Sequence, residues 1–374
     1  MNPFGRVWPA RIGTGGLANG FAGLAKSHKL ENACPTSFLA GSELTYMKIL
    51  FLVQGLDVAA SRYRVLQYLP YLKEHGVQAT VLPFQKGFLK KLKLFKSASK
   101  YDILFIQRKR FSFLWLKYIR KNARKIVYDF DDSVMYRNSK ASNPESNTRV
   151  TMFKNMVNAS DHVIAGNEYL QKNTTPYTHN VTIIPSPIDM TLYPQKKYSE
   201  ENGNITLGWI GATGSIHYLE KMKPMFETLG RRNGNVKLKI ICDTFFDCEN
   251  MVVDKKNWSE KDEVADIQSL DIGLMPLMDD PWSHGKCGLK ILQCLAVGVP
   301  VVCSPAGINR EIVEDGVHGF WANTQEEWIE KLEILINDQD LRKRMGMEGR
   351  KRVIEYYSLK ANAPRMLKIF QQLK

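Results

Sequence analysis

The sequence predicts an α/β protein with two doubly wound parallel sheets. From Met47 onward, short apolar segments alternate with segments whose apolar residues recur at helical spacing, which is typical of parallel strands joined by helices. A proline-containing stretch, TIIPSPIDMTLY, interrupts the alternation, and a second series begins at ITLGWI. The chain of 374 residues is long enough for two domains of about 150 residues each.

The predicted strands are short and mostly apolar, as expected where helices cover both faces of a sheet. In the first series they occupy residues 49–53, 79–82, 103–106, 126–130, 162–165 and 181–184. In the second series they occupy residues 205–210, 237–242, 271–276 and 299–303. Among the helices between them, one is predicted over residues 61–76, one over 260–270 and one over 289–296.

Composition narrows the class of protein. An apolar content of 44% excludes a disordered chain, and no apolar run reaches the ~18–20 residues that span a bilayer. The six cysteines show no Cys-x-x-Cys spacing, which favours reduced, buried thiols in a cytoplasmic protein. The net charge of +14 predicts an anionic partner: a nucleotide, a membrane surface or a nucleic acid.

Residues 1–46 do not follow either pattern. They are rich in Gly, Ala, Pro and Ser and have no sustained period. We expect a disordered extension or a start-site artefact, with the natural start at Met47, where a strand begins directly. A regulatory or targeting arm is the alternative.

The segment 284–305, HGKCGLKILQCLAVGVPVVCSP, predicts a binding site. A glycine-rich loop leads into a helix, whose first N–H groups are unpaired and whose dipole favours an anion. Lys286 and Lys290 add charge at that end, and Gln293 follows on the same side with an amide that can bind a hydroxyl. This arrangement suits a nucleoside diphosphate and its ribose, although an ordinary strand–helix connection with solvated lysines would read the same way.

Two further turns are expected at the carboxyl ends of strands, where ligands bind in such sheets. Residues 211–215, GATGS, form a phosphate-sized turn in which Gly211, Thr213 and Gly214 would contact a phosphate group. In the first series, Gly55 would let the backbone approach a ligand. Arg62 and Arg64 stand at a helix start, where the dipole does not favour cations, which favours an external anion over plain surface arginines.

Acidic residues at the end of a predicted strand offer a different chemistry. Asp129, Asp131 and Asp132 repel one another unless they are solvated or kept for a task, such as binding the hydroxyls of a ligand, taking a proton or holding a metal. We expect Asp129 or Asp131 to do so, with N-capping as the alternative. Asn167, after the strand at 162–165, is as readily a helix cap as a residue of the cleft.

A basic, apolar region separates these strands. KGFLKKLKLFK (86–96) and RKRFSFLWLKYIRKNARK (108–125) interleave aromatic and aliphatic residues with cations. The composition fits a helix on an anionic membrane, and equally an amphipathic helix that packs inward with solvated lysines. No nucleic-acid-binding motif is present, so a nucleic-acid partner is not expected.

The segment GKCGLKILQCLAVGVPVV resembles the nucleotide-sugar signature of glycosyltransferase family 4, E-G-F-G-L-x-x-L-E-A-x-A-x-G-x-P-V-V. The Gly-Leu pair, the helix and the Gly-x-Pro match. The first glutamate of the signature falls on Gly285 and the second, which usually binds ribose, on Gln293. A branch of the family with K-C-G-x-K-x-L-Q is similar here, and SRYRVLQYLPYL resembles the same branch.

The resemblance implies a GT-B fold: two facing Rossmann-like domains with a C-terminal helix that crosses back. The implied domains are an N-terminal acceptor domain (47–185), a hinge (186–204), a C-terminal donor domain (205–355) and the crossing helix (356–374). The implied activity is a retaining, metal-free transfer of a sugar from a nucleotide sugar. The basic, apolar region adds the hypothesis of a saccharide or lipid-linked acceptor, in cell-surface polysaccharide or glycoconjugate synthesis. We expect a cytoplasmic location, and the same region adds the expectation of peripheral attachment to the inner face of the membrane.

The resemblance also implies roles for particular residues. Asp129, Asp131 and Lys290 would be catalytic, and Gly55, Arg62 and Arg64 would bind an acceptor or phosphate. The donor would be held, without a further cofactor, by Gly211, Thr213, Gly214, Lys286, Gly288, Leu289 and Gln293. The alternatives are a non-catalytic nucleotide-sugar-binding protein of the same fold, a phosphorylase or epimerase on that fold, and a nucleic-acid-binding protein.

Overall fold

The computed structural model describes residues 46–198 and 203–374. The expectation for residues 1–46 therefore lies outside the described residues, apart from Tyr46. Within the described ranges, no helix combines the length and the apolar character that crossing a bilayer requires.

The first sheet has six parallel strands in the spatial order 2-1-3-4-5-6. All six were predicted, with ends that differ by at most two residues. They are β1 Met47–Val53, β2 Val77–Pro83, β3 Ile103–Gln107, β4 Lys125–Phe130, β5 His162–Ala165 and β6 Val181–Ile183. The strands β1, β3 and β4 at its centre are almost wholly buried, which explains their unbroken apolar sequences.

Helices cover both faces of this sheet. They are α1 Ala59–Arg64, α2 Leu69–Glu74, α3 Phe88–Ser97, α4 Phe113–Asn122, α5 Asn147–Ala159 and α6 Glu168–Thr174. The prediction of one continuous helix over residues 61–76 was wrong, because the chain breaks at Val65 (φ −133°, ψ −61°) and restarts at Leu69. Pro70 explains the restart, since proline lacks the N–H of a helix interior and is tolerated in a first turn.

The second sheet also has six parallel strands, in the order 12-11-10-7-8-9. They are β7 Ile205–Ile210, β8 Val236–Ile241, β9 Val252–Lys256, β10 Ile272–Met275, β11 Val301–Cys303 and β12 Gly319–Trp321. The two edge strands, β9 and β12, were not predicted. The first of these, VVDKK, is partly exposed and polar, and the second has only three residues, so neither has the apolar pattern of a central strand.

Helices also pack against the second sheet, and one of them begins, after a loop, at the carboxyl edge of that sheet. They are α7 Ile216–Glu220, α8 Lys223–Arg232, α9 Glu263–Gln268, α10 Pro281–His284, α11 Leu289–Ala296, α12 Asn309–Ile312, α13 Gln325–Asn337 and α14 Gln339–Arg352. Gly288 caps α11 with φ +63°, and a Cβ there would lie 2.2 Å from Ile312 Cδ1. Glycine therefore satisfies both the backbone conformation and the packing at the start of α11.

The last helix, α15 Leu359–Leu373, returns to the first sheet. The ring of Phe370 lies 6.1 Å from the rings of Phe51 on β1 and Phe105 on β3, and all three side chains are fully buried. The predicted C-terminal helix that crosses back is confirmed, and it covers one face of the first sheet. The predicted domain boundaries stay predictions.

Candidate functional site

The turn after β7 and the start of α11 meet at the carboxyl edge of the second sheet. The Lys290 ammonium donates a hydrogen bond to Ser215 Oγ at 3.1 Å and lies 4.2 Å from the centre of the Trp209 ring. A Cβ added to Gly211 would lie 2.4 Å from that ring and 2.7 Å from Lys290 Nζ. Only glycine at position 211 leaves room for the lysine. The turn after β7 and the start of α11, which the sequence analysis selected separately, are therefore in contact through Lys290.

Burial sets the electrostatics of this meeting point. It lowers the pKa of Lys290 to about 7, and the nearby charge of Lys286 adds to the effect. Lys286 Nζ lies 5.7 Å from the Trp282 ring centre and 5.8 Å from that of Tyr218. Among residues 46–198 and 203–374, neither lysine forms an ion pair with a carboxylate. The site therefore combines a desolvated lysine, Lys290, with a second, partly exposed one, Lys286, and an anion would stabilise the charged form of Lys290.

Backbone donors lie at the same place, although fewer than expected. The first hydrogen bond of α11 runs from the Leu292 N–H to the Gly288 carbonyl at 3.1 Å, so the N–H groups of the first turn have no partner within the helix. In the turn after β7, the Gly211 N–H donates to Ile241 O at 3.0 Å and the Ser215 N–H to Ala212 O at 2.8 Å. A ligand can therefore not use these last two amides.

The other residues that were predicted to bind the nucleotide sugar do not lie next to Lys290 Nζ in the same way. Thr213 and Gly214 are exposed at the tip of the turn, where the Thr213 hydroxyl is 3.0 Å from that of Thr244. Leu289 is the first residue of α11 and packs against the apolar core beside β11. Gln293 is 3% exposed, and its amide nitrogen donates to the hydroxyls of Tyr63 and Tyr193, both at 3.0 Å.

Those two tyrosines belong to a polar network between the two sheets. Tyr63 lies on α1, and its hydroxyl is 2.7 Å from that of Tyr193 in the connecting segment. Both hydroxyls donate to Glu263 Oε1 on α9 at 3.0 Å, and Trp258 Nε1 donates to Glu263 Oε2 at 2.9 Å. Burial raises the pKa of both tyrosines, so they stay neutral donors.

Arg62, which was predicted to bind an acceptor or a phosphate, is part of this network. Its guanidinium donates to both carboxylate oxygens of Glu263, at 2.9 and 3.0 Å, and lies 3.2 Å from Glu260 Oε1. We call the parts of the molecule built on the first and second sheets the first half and the second half. Arg62 was predicted to bind an anion of the substrate, and in this structure it binds carboxylates of the second half instead. Gly55 lies in the loop between β1 and α1, where an added Cβ would meet Val58 Cγ2 at 3.1 Å, so its contacts are local.

Arg64 and Asp129 require a correction. Both side chains are completely buried, and the guanidinium of Arg64 pairs with the carboxylate of Asp129 and donates to Ile184 O at 2.6 Å. Neither side chain reaches the surface, so a phosphate-binding Arg64 and a catalytic Asp129 do not fit this structure. The pair instead joins α1 to the end of β4 and to the chain after β6. The predicted external anion for Arg64 is an internal carboxylate.

Asp131 and Asp132 both pair with Arg108, which has an uncommon left-handed conformation (φ +54°). Burial favours the neutral acid, but the charge and the hydrogen bond of Arg108, together with the charge of Arg64, outweigh it and hold the pKa of Asp131 below its usual value. For Asp132, burial raises the pKa against the opposing charges of Arg108 and Lys286. Asp132, which sequence reasoning did not select, keeps about 21% of its side chain exposed and lies within electrostatic reach of Lys286.

Asn167 connects the two halves as well as capping a helix. Its Oδ1 accepts from the Leu170 N–H at 2.8 Å, which confirms the cap. Its Nδ2 donates to the carbonyls of His284 at 3.1 Å and Lys286 at 2.9 Å. These two hydrogen bonds attach the loop that carries Lys286 to the first half. No sequence pattern predicts this contact.

Gly285 explains one departure from the family signature. A Cβ at Gly285 would lie 2.0 Å from Ser133 Oγ and 2.6 Å from the Ser133 backbone nitrogen. Ser133 Oγ also donates to Pro281 O at 2.7 Å. A glutamate side chain has no room at position 285 in this closed arrangement. Within the described ranges, no group of three His, Cys, Asp or Glu side chains is arranged to hold a metal ion.

Comparison with known sequences finds similarity over part of the chain. Residues 252–352 match the family model of glycosyl transferases group 1. A curated relative, the Staphylococcus aureus capsular polysaccharide biosynthesis glycosyltransferase CapM, is 25% identical over 186 residues, and the match spans 46% of this chain and about half (47%) of the relative.

Solved structures match nearly the whole chain. The fold is GT-B. Anabaena HepE in complex with UDP and glucose has a TM-score of 0.64 at 16% identity, over 87% of this chain and 100% of that one. Sucrose-phosphate synthase from Thermosynechococcus elongatus has a TM-score of 0.66 at 12% identity, over 88% and 99%. A glycosyltransferase from Rickettsia africae has a TM-score of 0.67 at 15% identity, over 88% and 99%. The predicted fold class is confirmed.

The buried pair Arg64–Asp129 gives a prediction about stability. Asp129→Leu and Arg64→Met should each lower the free energy of unfolding by about 3–5 kcal/mol, because each leaves an unpaired charge in the core. The double substitution should cost less than either single one, since no charge remains. Urea denaturation followed by tryptophan fluorescence measures all three.

Asp129→Asn is the complementary variant. If it kept the stability of the wild type while abolishing sugar transfer, and if the two single effects simply added in the double variant, the structural role of the pair would be refuted.

Proposed function

We propose that this protein transfers a sugar from a nucleoside-diphosphate sugar to an acceptor hydroxyl. The observation that carries the proposal is the position of Lys290, which lies at the unpaired first turn of α11 and beside the turn that follows β7. Lys286 supplies a second cation nearby. A diphosphate meets complementary charge from both sides of this site and replaces the water that burial has removed.

The same contacts account for chemistry as well as binding. When the bond between sugar and diphosphate breaks, negative charge grows on the departing phosphate oxygens. Lys286, Lys290 and the first N–H groups of α11 are fixed in advance near that charge, so they stabilise the transition state more than the ground state. The proposed catalytic role of Lys290 is this stabilisation of the leaving group.

On the acceptor side, the proposal assigns the hydroxyl contact to the carboxylates after β4. Asp131 is held ionised by Arg108, and Asp132 has a raised pKa and partial exposure. Asp131 is suited to accept a hydrogen bond from an acceptor hydroxyl, and Asp132 is suited to receive its proton. Retention of configuration, transfer without a metal and placement in family 4 are part of the proposal, on the strength of the signature resemblance.

The choice of substrates rests on relatives. HepE has been solved with UDP and glucose, and CapM is named for capsular polysaccharide biosynthesis. We infer a uridine nucleotide as the donor and a saccharide or lipid-linked acceptor of cell-surface polysaccharide synthesis. The proposed location is cytoplasmic, on the inner face of the membrane.

Substrate entry requires the two halves to separate. The closed arrangement holds Arg62 against Glu263, and the amide of Gln293 against Tyr63 and Tyr193. The same amide can bind ribose hydroxyls once those tyrosines move away. Reclosure over a bound donor would then exclude water, so that the sugar passes to the acceptor and is not hydrolysed.

One observation favours a second candidate function. Gly285 stands where the family signature has a glutamate, and Ser133 fills the space. A protein that binds a nucleotide sugar without turning it over would retain the two lysines and lose that glutamate. Turnover separates the two: the transferase releases nucleoside diphosphate in an acceptor-dependent way, and the binding protein does not.

The donor site predicts a specific loss of affinity. UDP should bind the wild type and raise its melting temperature, and Lys290→Met should weaken binding by about 10–100-fold, because a charge-assisted contact is worth about 1.5–3 kcal/mol. Isothermal titration calorimetry measures the affinity. Lys360→Met removes an exposed lysine from α15 and is the matched control, with unchanged affinity expected. Binding that Lys290→Met leaves unaltered would overturn the proposed site.

The lowered pKa of Lys290 predicts how affinity depends on pH. A bound diphosphate favours the charged lysine, whose pKa of about 7 in the free protein must then rise. Above pH 7, binding therefore takes up a proton, and the affinity for UDP-glucose should fall by up to about tenfold per pH unit between pH 7 and 9.

UDP-glucose suits this measurement because its diphosphate does not titrate in that range. Lys290→Met should show almost no slope over the same range. An equally steep slope in the variant would assign the titration to another group.

A further inference from the structure

Four large apolar side chains are exposed together at the starts of two adjacent helices. Phe88 and Leu89 begin α3 and are 66% and 71% exposed, and Phe113 and Leu114 begin α4 and are 56% and 78% exposed. We refer to these four residues, with the lysines beside them, as the α3–α4 tip. A cluster of exposed apolar side chains typically marks a site that binds a protein, a membrane or a ligand.

The inward faces of the two helices are already filled. Phe95 and Phe111 are buried in the core of the first half. Trp115 bridges the two sets, since its ring centre lies 5.5 Å from that of Phe88 and 5.5 Å from that of Phe95. The exposed side chains of the tip thus lie outside the core, and Phe88 is connected to the core through tilted and edge-on ring contacts with Trp115.

The charge around the tip has one sign. Residues 86–125 contain fourteen Lys or Arg and a single acid, Asp102. Neither α3 nor α4 has an acidic residue in its first turn, and Lys90, Lys93 and Lys117 are exposed, with Lys117 Nζ 4.7 Å from the Phe113 ring centre. Cations near a helix start gain nothing from the dipole, so the arrangement calls for an external anion.

The chain path places this tip at the edge of the sheet that carries the site. The helix α3 begins shortly after the carboxyl end of β2, and α4 shortly after that of β3. Asp131 and Asp132 follow the carboxyl end of β4, which is paired in parallel with β3. The tip and the proposed acceptor carboxylates therefore share one edge of the first sheet.

We propose that the α3–α4 tip docks this protein on an anionic lipid bilayer. Phe88, Leu89, Phe113 and Leu114 enter the interfacial region, and the surrounding lysines contact lipid phosphates. Docking deepens the proposed function, since it would bring the crevice to an acceptor held at a membrane, but it does not depend on sugar transfer. A second copy of the chain fits this surface poorly, because it would bring two basic tips together.

Vesicle sedimentation tests the proposal with the full chain. Vesicles of phosphatidylcholine with phosphatidylglycerol should bind the wild type, and vesicles of phosphatidylcholine alone should not. Replacing the four apolar residues with serine should lower the partition coefficient at least ~10-fold, and so should Lys90→Glu with Lys93→Glu and Lys117→Glu.

Matched controls lie elsewhere on the surface. Leu192→Ser with Val252→Ser removes two similarly exposed apolar residues (62% and 71%), and Lys360→Glu with Lys368→Glu reverses two exposed lysines on α15. Both controls should bind vesicles like the wild type. All variants should retain the far-UV spectrum and UDP binding of the wild type, which separates loss of docking from loss of the donor site or of the fold.

Three results would overturn the proposal: equal partition of the wild type into both kinds of vesicle, wild-type partition by the serine variant, or a dimer in solution that the serine substitutions dissociate.

Discussion

The structure between the two halves depends on a desolvated lysine, Lys290, that has no carboxylate partner among residues 46–198 and 203–374. Lys290 is held against the Trp209 ring and hydrogen-bonded to Ser215, and these two contacts replace only part of its lost hydration. The lowered pKa of Lys290 expresses that deficit. Gly211 makes the arrangement possible, because any side chain there would collide with the ring and the ammonium. An anion that binds beside Lys290 would replace the missing hydration and stabilise the charged form of the lysine.

A second constraint is the closeness of the two halves. Ser133 fits against Gly285, and Asn167 donates to the carbonyls of the loop that carries Lys286. On the other side of the crevice, Arg62 and Tyr63 reach Glu263. These contacts are mostly hydrogen bonds and ion pairs between polar groups, which water can replace when the halves part. The closed form is thus compatible with an open form that admits a substrate.

Sequence patterns identified the central strands, because burial on both faces leaves an unbroken apolar signature. They failed at β9 and β12, where edge exposure and shortness remove that signature, and at Pro70, which divides a helix whose apolar stripe continues. The meeting of the turn at Gly211 with Lys290 was anticipated, since parallel topology brings such turns to one edge.

Side-chain partners across the molecule were much less predictable. Arg64 and Asp129 carry charges that suggest a ligand, yet they satisfy each other over 65 positions of sequence. Asp132 became distinct from Asp131 only through its exposure and its proximity to Lys286. Local sequence reports residue type and spacing, whereas the partner of a buried charge is set by packing between elements that are distant in the chain.

The most direct measurement is a crystal structure of the protein soaked with UDP. The account predicts phosphate oxygens about 3 Å from Lys290 Nζ, between the first turn of α11 and the turn at residues 211–215. A diphosphate bound away from both lysines, for instance in the polar cavity of about 610 Å³ beside Lys196 and Lys237, would contradict it.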